Sequence, residues 1–372
     1  MSHTMATTRD ARHLSRAIEL AAQAHGHTSP NPLVGAVVVK QGRVIGEGFH
    51  AGAGKPHAER MALESCDEDP RGATLYVSLE PCCHSGRTPP CTDAIVAAGI
   101  ARLVTASDDP TAKAAGRGLG ILRDEGVEVE TMDGDPARAA RLINQPFRKH
   151  ARTGRPLVTL KSAMSLDGKV ATHSGDSQWI SGEWSRARAH RWRAEVDAVA
   201  VGIGTALADD PLLTARIEGV ARQPRRVVFD SAGRLPAASQ LAQSAAEAPV
   251  ILVCSRAAPR ASGLEAAGVE IIRATGGTEA DRVRSALDQL GALEVQSLLL
   301  EGGPHLAGAF FDADEIDEVR LFVAPLMTGG RTARSSVEGQ GAETIESARR
   351  AIASEVEQIG DDVLISSRLK EW

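Results

Sequence analysis

Apolar, strand-like runs alternate with helix-prone segments twice along this sequence, and the breaker cluster Gly154-Arg155-Pro156 separates the two series. Such alternation builds α/β layers, and a cluster of this kind marks a boundary. In the first series a helix is expected from Asp10 to Ala24 and strands over Leu33–Val39 and Arg43–Glu47, around the turn Gln41-Gly42. A helix through His57–Ser65, a strand Thr74–Ser78, a Pro/Cys/Gly-rich loop, a helix Thr92–Ala98 and a strand Leu103–Thr105 follow. A basic, helix-prone tract, Pro136–Thr153, closes it. In the second series strands are expected over Leu157–Ala163 and near Asp197–Val201, Arg226–Asp230, Val250–Cys254, Ser297–Glu301 and Glu318–Ala324. Helices are expected near Trp184–Ala194, Glu279–Leu290 and Pro304–Asp312. At about 150 residues per domain, 372 residues make two domains, 1–153 and 154–372.

Composition narrows the partners. Acidic residues outnumber basic ones 48 to 42, aromatics are 3%, and Tyr76 is the single tyrosine. A polynucleotide binder shows a basic surplus and stacking aromatics, so a small-molecule ligand is expected and nucleic acid is not. No apolar run reaches the roughly 18 residues of a membrane span, and the first residues lack a signal-peptide core. A cytoplasmic location is therefore expected. Three of the five cysteines fall within ten residues, which reads as metal chemistry rather than a disulfide framework.

The metal reading rests on His57-Ala58-Glu59 and on Pro81-Cys82-Cys83-His84-Ser85-Gly86-Arg87-Thr88-Pro89-Pro90-Cys91. Zinc favours thiolate and imidazole, and a catalytic site keeps three protein ligands and one open position. His57, Cys82 and Cys91 form such a set, and Glu59 is the non-ligating carboxylate that shuttles protons. Residues two apart on a helix face different ways, so His57 and Glu59 converge only at a helix entry turn. Cys91, just before an expected helix, should have a lowered pKa. The alternative is a structural site with Cys83 or His84 as fourth ligand.

These residues resemble the zinc deaminases of the cytidine-deaminase superfamily. Eight residues separate Cys82 from Cys91 here, against two in most of that group. The longer loop resembles the deaminase domain of the bifunctional riboflavin-biosynthesis deaminase/reductase family, as does Ser29-Pro30-Asn31-Pro32-Leu33-Val34-Gly35. The resemblance implies a three-layer deaminase domain acting on 2,5-diamino-6-ribosylamino-4(3H)-pyrimidinone 5′-phosphate. It assigns Asn31, His50, His84 and Arg87 to the pyrimidine and ribose phosphate, and puts Cys83 where the family has serine.

The second half carries no Gly-x-Gly-x-x-Gly fingerprint after a strand. Gly202-Ile203-Gly204 lacks the third glycine, and Gly116-Arg117-Gly118-Leu119-Gly120 has the wrong spacing. Four blocks nevertheless resemble the reductase domain of the same family: Leu160–Lys169, Gly175–Ser181, Thr205–Thr214 and Glu301–Gly308. They imply a dihydrofolate-reductase-like domain that uses NADPH to reduce a ribosyl to a ribityl group. By that resemblance Ala163, Trp179, Thr205, Asp209, Ser231 and the run Gly303, Pro304, His305, Leu306, Ala307, Gly308 and Ala309 line the NADPH site. Ser177, Arg193, Leu213, Arg216 and Glu301 contact substrate, with Lys161 near the reacting sugar. The family also suggests a homo-oligomer. Two competing readings are an editing deaminase on nucleic acid and a zinc-stabilised nucleotide binder without chemistry.

Overall fold

The computed structural model describes residues 8–84, 89–220, 222–259 and 262–372. By contacts the chain divides into two compact units, Met1–Thr153 with Trp372, and Gly154–Glu371. Each is taken by itself.

The first unit runs α1 (Thr8–Ala22), β1 (Gly35–Lys40), β2 (Arg43–Phe49), α2 (Ala58–Glu64), β3 (Thr74–Val77), α3 (Cys91–Ala97), β4 (Arg102–Thr105), α4 (Arg117–Asp124), β5 (Glu128–Thr131), α5 (Asp135–Ile143) and α6 (Gln145–Thr153). Its sheet has the order β2-β1-β3-β4-β5. The strand β1 is antiparallel to β2 and β3, whereas β3, β4 and β5 are parallel. Successive strand residues point to opposite faces. Ala36, Val38 and Leu75 accordingly pack with Ala62 of α2, Ile95 of α3 and Leu122 of α4. Val37, Val39 and Tyr76 pack on the other face with Leu14 and Ile18 of α1 and Ala140 of α5. The result is three layers, helix over sheet over helix.

Two glycines seat the helix that matters most. A Cβ at Gly46 or Gly48 of β2 would lie 2.3 Å from Ala62 O or 2.4 Å from Ala62 N. Real contacts are never that short, so only glycine lets α2 settle onto the strand. That close approach sets where the helix begins, at His57.

The second unit runs β6 (Leu157–Met164), α7 (Glu183–Glu195), β7 (Ala198–Gly202), α8 (Ile203–Asp209), β8 (Arg225–Phe229), α9 (Gln240–Gln243), β9 (Val250–Ser255), α10 (Ser262–Ala266), β10 (Glu270–Ala274), α11 (Glu279–Ala292), β11 (Ser297–Leu300), α12 (Pro304–Asp312), β12 (Glu318–Val323), β13 (Ala353–Ile359) and β14 (Asp362–Arg368). The sheet order is β10-β9-β8-β7-β11-β6-β12-β14-β13. The strands β10 through β12 in that order are parallel, and β14 and β13 are added antiparallel at one side. Val158, Ala200, Val227 and Leu300 pack under α11 and α12. Val199, Val201, Val228 and Leu252 face the opposite layer with Trp192 and Leu241. The later strand β11 returns to lie between β6 and β7, a crossover that opens a crevice at the strand ends.

Every strand absent from the sequence reading lies at or next to a sheet edge. β5, β10 and β13 are edges, and β14 is beside one. An edge strand buries little, as the almost wholly exposed β13 shows, so it leaves no apolar run to read. The short α4 and α8 were also not expected, because both begin among glycines.

Candidate active sites

The first site is built at two helix starts. His57 is the N-cap of α2 in extended conformation (φ −75°, ψ 160°), and Glu59 stands in the first turn, buried. This is the entry-turn geometry that lets residues two apart converge. Cys91 opens α3, and the carbonyl of Cys82 accepts from the backbone N–H groups of Cys91 (3.1 Å) and Thr92 (3.3 Å). The loop carrying Cys82 is thereby tied to the helix carrying Cys91. His57 Nδ1 lies 3.4 Å from Cys82 Sγ and 3.3 Å from Cys91 Sγ. A tetrahedral zinc with bonds of about 2.1 Å to nitrogen and 2.3 Å to sulfur sets those atoms about 3.6 Å apart. The three groups therefore fit zinc. Among the described residues they form the one cluster of such donors, and neither Cys83 nor His84 joins it. Cys83 Sγ turns to the carbonyl of Lys113 at 3.7 Å.

Electrostatics separates the two cysteines. The backbone N–H of Cys91 points at Cys82 Sγ, 3.4 Å away, rather than at its own sulfur. Hydrogen bonding from Cys91, against burial and with help from His57, lowers the Cys82 thiol to about 4. The Cys91 thiol is raised by donating to Cys82 and by burial. The two cysteines share one proton across their contact, which lowers one thiol and raises the other, and a bound zinc would hold both as thiolates. Burial, then the charge at Cys82, pushes the Glu59 carboxyl up to about 7. A carboxyl there can both take and release a proton near neutral pH.

Around this centre His50 is buried, with Nδ1 3.1 Å from the carbonyl of Pro56 and Nε2 3.0 Å from Asn31 Nδ2. The Pro56 carbonyl accepts from Nδ1–H, so Nε2 accepts from the Asn31 amide and the ring is neutral. Burial also lowers its pKa. Its ring meets that of His57 edge-on, with centroids 5.2 Å apart. His84 is exposed, and Arg87 lies outside the described residues.

Sequence reasoning missed Glu80. Its buried carboxylate accepts backbone N–H groups from Gly116 (3.0 Å), Gly118 (3.1 Å) and Asp109 (3.4 Å). A Cβ on Gly118 would stand 2.3 Å from the carbonyl of Pro81. The glycine pair dismissed as a dinucleotide motif is the cradle of this carboxylate, and it holds the loop two residues before Cys82.

The second site lies at the carboxyl ends of β6, β7, β8, β9 and β11. Two cavities adjoin there, of about 390 and 590 Å³. Gly204, Thr205, Gly303 and Arg334 line both, so together they form one trough. The smaller holds Lys161, Ala163, Ser177, Trp179, Asp209, Glu301 and Pro304. The larger holds Ser231, His305, Leu306 and Ala309. A Cβ at Gly302 would lie 2.5 Å from Val201 Cα, so glycine is what lets the β11–α12 turn cross the end of β7. The Gly303 N–H donates to Thr205 Oγ1 (3.2 Å), joining the starts of α12 and α8.

Not every expected residue reaches the trough. Ala307 is buried in the core, and Gly308 packs against the backbone of Glu338, because they occupy the inward faces of α12. Leu213 is a core residue. Arg216 is exposed, and its N–H meets His190 Nδ1 at 3.3 Å. Arg193 lines neither cavity but grips Glu301 with two bonds, Nε–Oε1 2.6 Å and Nη2–Oε2 2.9 Å, and donates to the Thr214 carbonyl (3.2 Å). Lys161 Nζ stands 3.8 Å from Glu301 Oε2. Burial would raise the Glu301 carboxyl, but Arg193, with Lys161 behind it, holds it below its ordinary value. Burial lowers the Lys161 ammonium.

Residues 156–365 match the family model for the RibD C-terminal domain, and residues 7–107 match the cytidine and deoxycytidylate deaminase zinc-binding region. Riboflavin biosynthesis protein RibD of Actinobacillus pleuropneumoniae is 40% identical over 365 residues, covering 98% of this chain and 96% of that one. The chain belongs to the RibD family. RibD of Escherichia coli is 38% identical, covering 96% of this chain and 98% of its own. Acinetobacter baumannii RibD superposes with a TM-score of 0.87 at 37% identity, over 98% of this chain and 99% of that one. The deaminase/reductase of Thermotoga maritima gives a TM-score of 0.84 at 36% identity, over 97% and 99%. Like other RibD proteins, the chain is a bifunctional enzyme of riboflavin biosynthesis. Its first unit is a cytidine-deaminase-like zinc deaminase and its second a dihydrofolate-reductase-like, NADPH-dependent reductase.

Proposed function

We propose that His57, Cys82 and Cys91 hold the zinc and that Glu59 moves the protons of the deamination. Zinc supplies an acidified water as nucleophile near neutral pH. Glu59 takes a proton from it on one carboxylate oxygen and returns it to the departing 2-amino group, which leaves as ammonia. Its raised pKa supports both halves of that transfer. The neutral His50, with both ring nitrogens engaged by Pro56 and Asn31, positions the Asn31 amide toward the pyrimidine, and His84 and Arg87 take the ribose phosphate. The observation that carries this reading is the close His57, Cys82 and Cys91 triangle with a buried, non-ligating Glu59 in the first turn of α2.

In the second unit NADPH supplies hydride to the sugar carbon. Ala163, Trp179, Thr205, Asp209, Ser231, Gly303, Pro304, His305, Leu306 and Ala309, which line the two adjoining cavities, would hold the cofactor. Lys161, Ser177 and Glu301 hold the ribosyl chain, with Arg193 behind Glu301, and Leu213 and Arg216 shape the adjoining loop. Ala307 and Gly308 contribute by packing α12. The enzyme acts on small phosphoribosylated pyrimidines, in the cytoplasm, as a homo-oligomer, and engages neither nucleic acid nor membrane. Among the described residues no helix is long and apolar enough to cross a membrane.

The test is a coupled assay on the diaminopyrimidine ribotide with NADPH, comparing the parent with Glu59→Gln. The variant should keep its zinc, release no ammonia, and still oxidise NADPH when given the deaminated ribotide. Ammonia release at more than about a tenth of the parent rate would refute the role of Glu59.

A further inference from the structure

We infer that Arg234 and Arg282 form a clamp for the 2′-phosphate of the cofactor, and so set the preference for NADPH over NADH. The inference rests on the reductase reading above and names the part of its trough that chooses the cofactor.

The larger cavity is lined by three arginines, Arg234, Arg282 and Arg334. They differ in what they already hold. Arg334 makes two bonds to Glu338, each 2.9 Å, and its charge is spent there. Arg234 and Arg282 make no side-chain hydrogen bond among the described residues. Their counterions stand off: Asp230 Oδ1 is 3.7 Å from Arg234 Nε, and Glu279 Oε1 is 4.0 Å from Arg282 Nη2. Glu279 is also shared with His305 Nε2 at 3.2 Å. Two guanidiniums with open donors thus share one cavity, and a guanidinium matches a phosphate with two parallel bonds.

Asp230 explains why the clamp is needed. It follows β8 and its side chain is fully buried. In a dinucleotide fold, an acid at a strand end binds the ribose diol of NAD, whereas a nearby arginine accommodates the NADP phosphate. Here Oδ2 accepts the backbone N–H groups of Arg234 and Leu235, the latter at 2.8 Å. Oδ1 has no hydrogen-bond partner and faces the Arg234 guanidinium. One oxygen closes the turn and the other is covered by positive charge. The acid therefore presents no free edge to a diol and no bare charge to a phosphate. Gly233, with φ +70°, completes the turn that brings Arg234 back over Asp230.

The helix starts nearby do not compete for this phosphate. The start of α11 is closed by a capping box between Thr278 and Asp281, with its bonds at 3.1 and 3.2 Å. The Gly303 N–H before α12 is taken by Thr205. Charge for an extra phosphate in this cavity comes from Arg234 and Arg282.

The test titrates the full-length protein with 2′,5′-ADP, which carries the extra phosphate, and with 5′-AMP, which lacks it, following heat of binding. The parent should bind 2′,5′-ADP at least about tenfold more tightly than 5′-AMP. Arg234→Ala and Arg282→Ala should each remove most of that preference and leave 5′-AMP within about twofold. Arg234→Lys, which keeps the charge but not the fork, should be intermediate. In the reductase assay the same variants should raise KM for NADPH, with kcat and KM for NADH unchanged. Equal loss for both fragments, or no loss for either, overturns the clamp. A parent that binds neither fragment nor NADPH overturns the reductase reading itself, a different failure that the titration of NADPH separates.

Discussion

Replacing Arg193 with methionine keeps most of the side-chain volume and removes the charge that holds Glu301. Both partners are nearly sealed from water, with side-chain exposures of 14% and 6%. Breaking a buried pair by removing one member costs about 3–5 kcal/mol, since it strands the other charge. Lys161, 3.8 Å away, keeps part of the compensation, which argues for the lower end, about 3 kcal/mol. At about 2–4 °C per kcal/mol for a unit of this size, melting of the reductase unit should fall by roughly 6–12 °C. The pH dependence fixes the cause. In the parent the Glu301 carboxyl is depressed, so its stabilisation is present above the ordinary carboxylate value and fades as pH falls through the folded value. In Arg193→Met, burial raises the carboxyl instead, and that contribution is lost as pH rises. The deficit should therefore be largest near neutral pH and shrink on acidification. Differential scanning calorimetry across pH measures it, with NADPH oxidation on the deaminated ribotide followed in parallel. A deficit that is absent, or that grows toward acid, would show that Arg193 does not hold the carboxylate.

Glu80→Ala strands three backbone N–H groups beside the metal loop, at about 1–3 kcal/mol for each left unsatisfied. Ammonia release and the melting of the first unit should both fall, and a variant as stable as the parent would count against the cradle. Gly302→Ala forces a Cβ against the β7 backbone and should cost at least about 1–3 kcal/mol while weakening NADPH binding, read by titration. Removing zinc with a chelator should abolish ammonia release and spare NADPH oxidation on the deaminated ribotide. Loss of both without unfolding would contradict two separate chemistries. Asn31→Ala frees His50 Nε2 of its donor and should raise KM of the deaminase more than it lowers kcat.

Much of the deaminase site was legible before any coordinates. The donor types of His57, Cys82 and Cys91 and the carboxylate of Glu59 are chemical identities, and the helix starts beside them are marked by Pro56 before α2 and Pro89-Pro90 before α3. The sharing of a proton between Cys82 and Cys91 was not legible, because it depends on how closely the fold brings the two thiols and His57 together. Glu80 was invisible because its partners are main-chain groups that any residue could offer. In the reductase unit the four blocks marked the trough, but the face of α12 decided that His305, Leu306 and Ala309 reach it while Ala307 and Gly308 do not.

The sequence by itself determined two α/β units, a set of His and Cys donors able to hold a metal, and the segments that line the trough of the second unit. These follow from local periodicity and from side-chain chemistry, which travel with each residue. Tertiary structure decided the edge strands, the Arg193–Glu301–Lys161 cluster, and which arginines in the larger cavity keep their donors open. Those depend on distances between residues up to 140 positions apart (Lys161 to Glu301), set only when strands and helices pack. No local pattern carries that information, since a charge is paired or free according to what the fold places beside it.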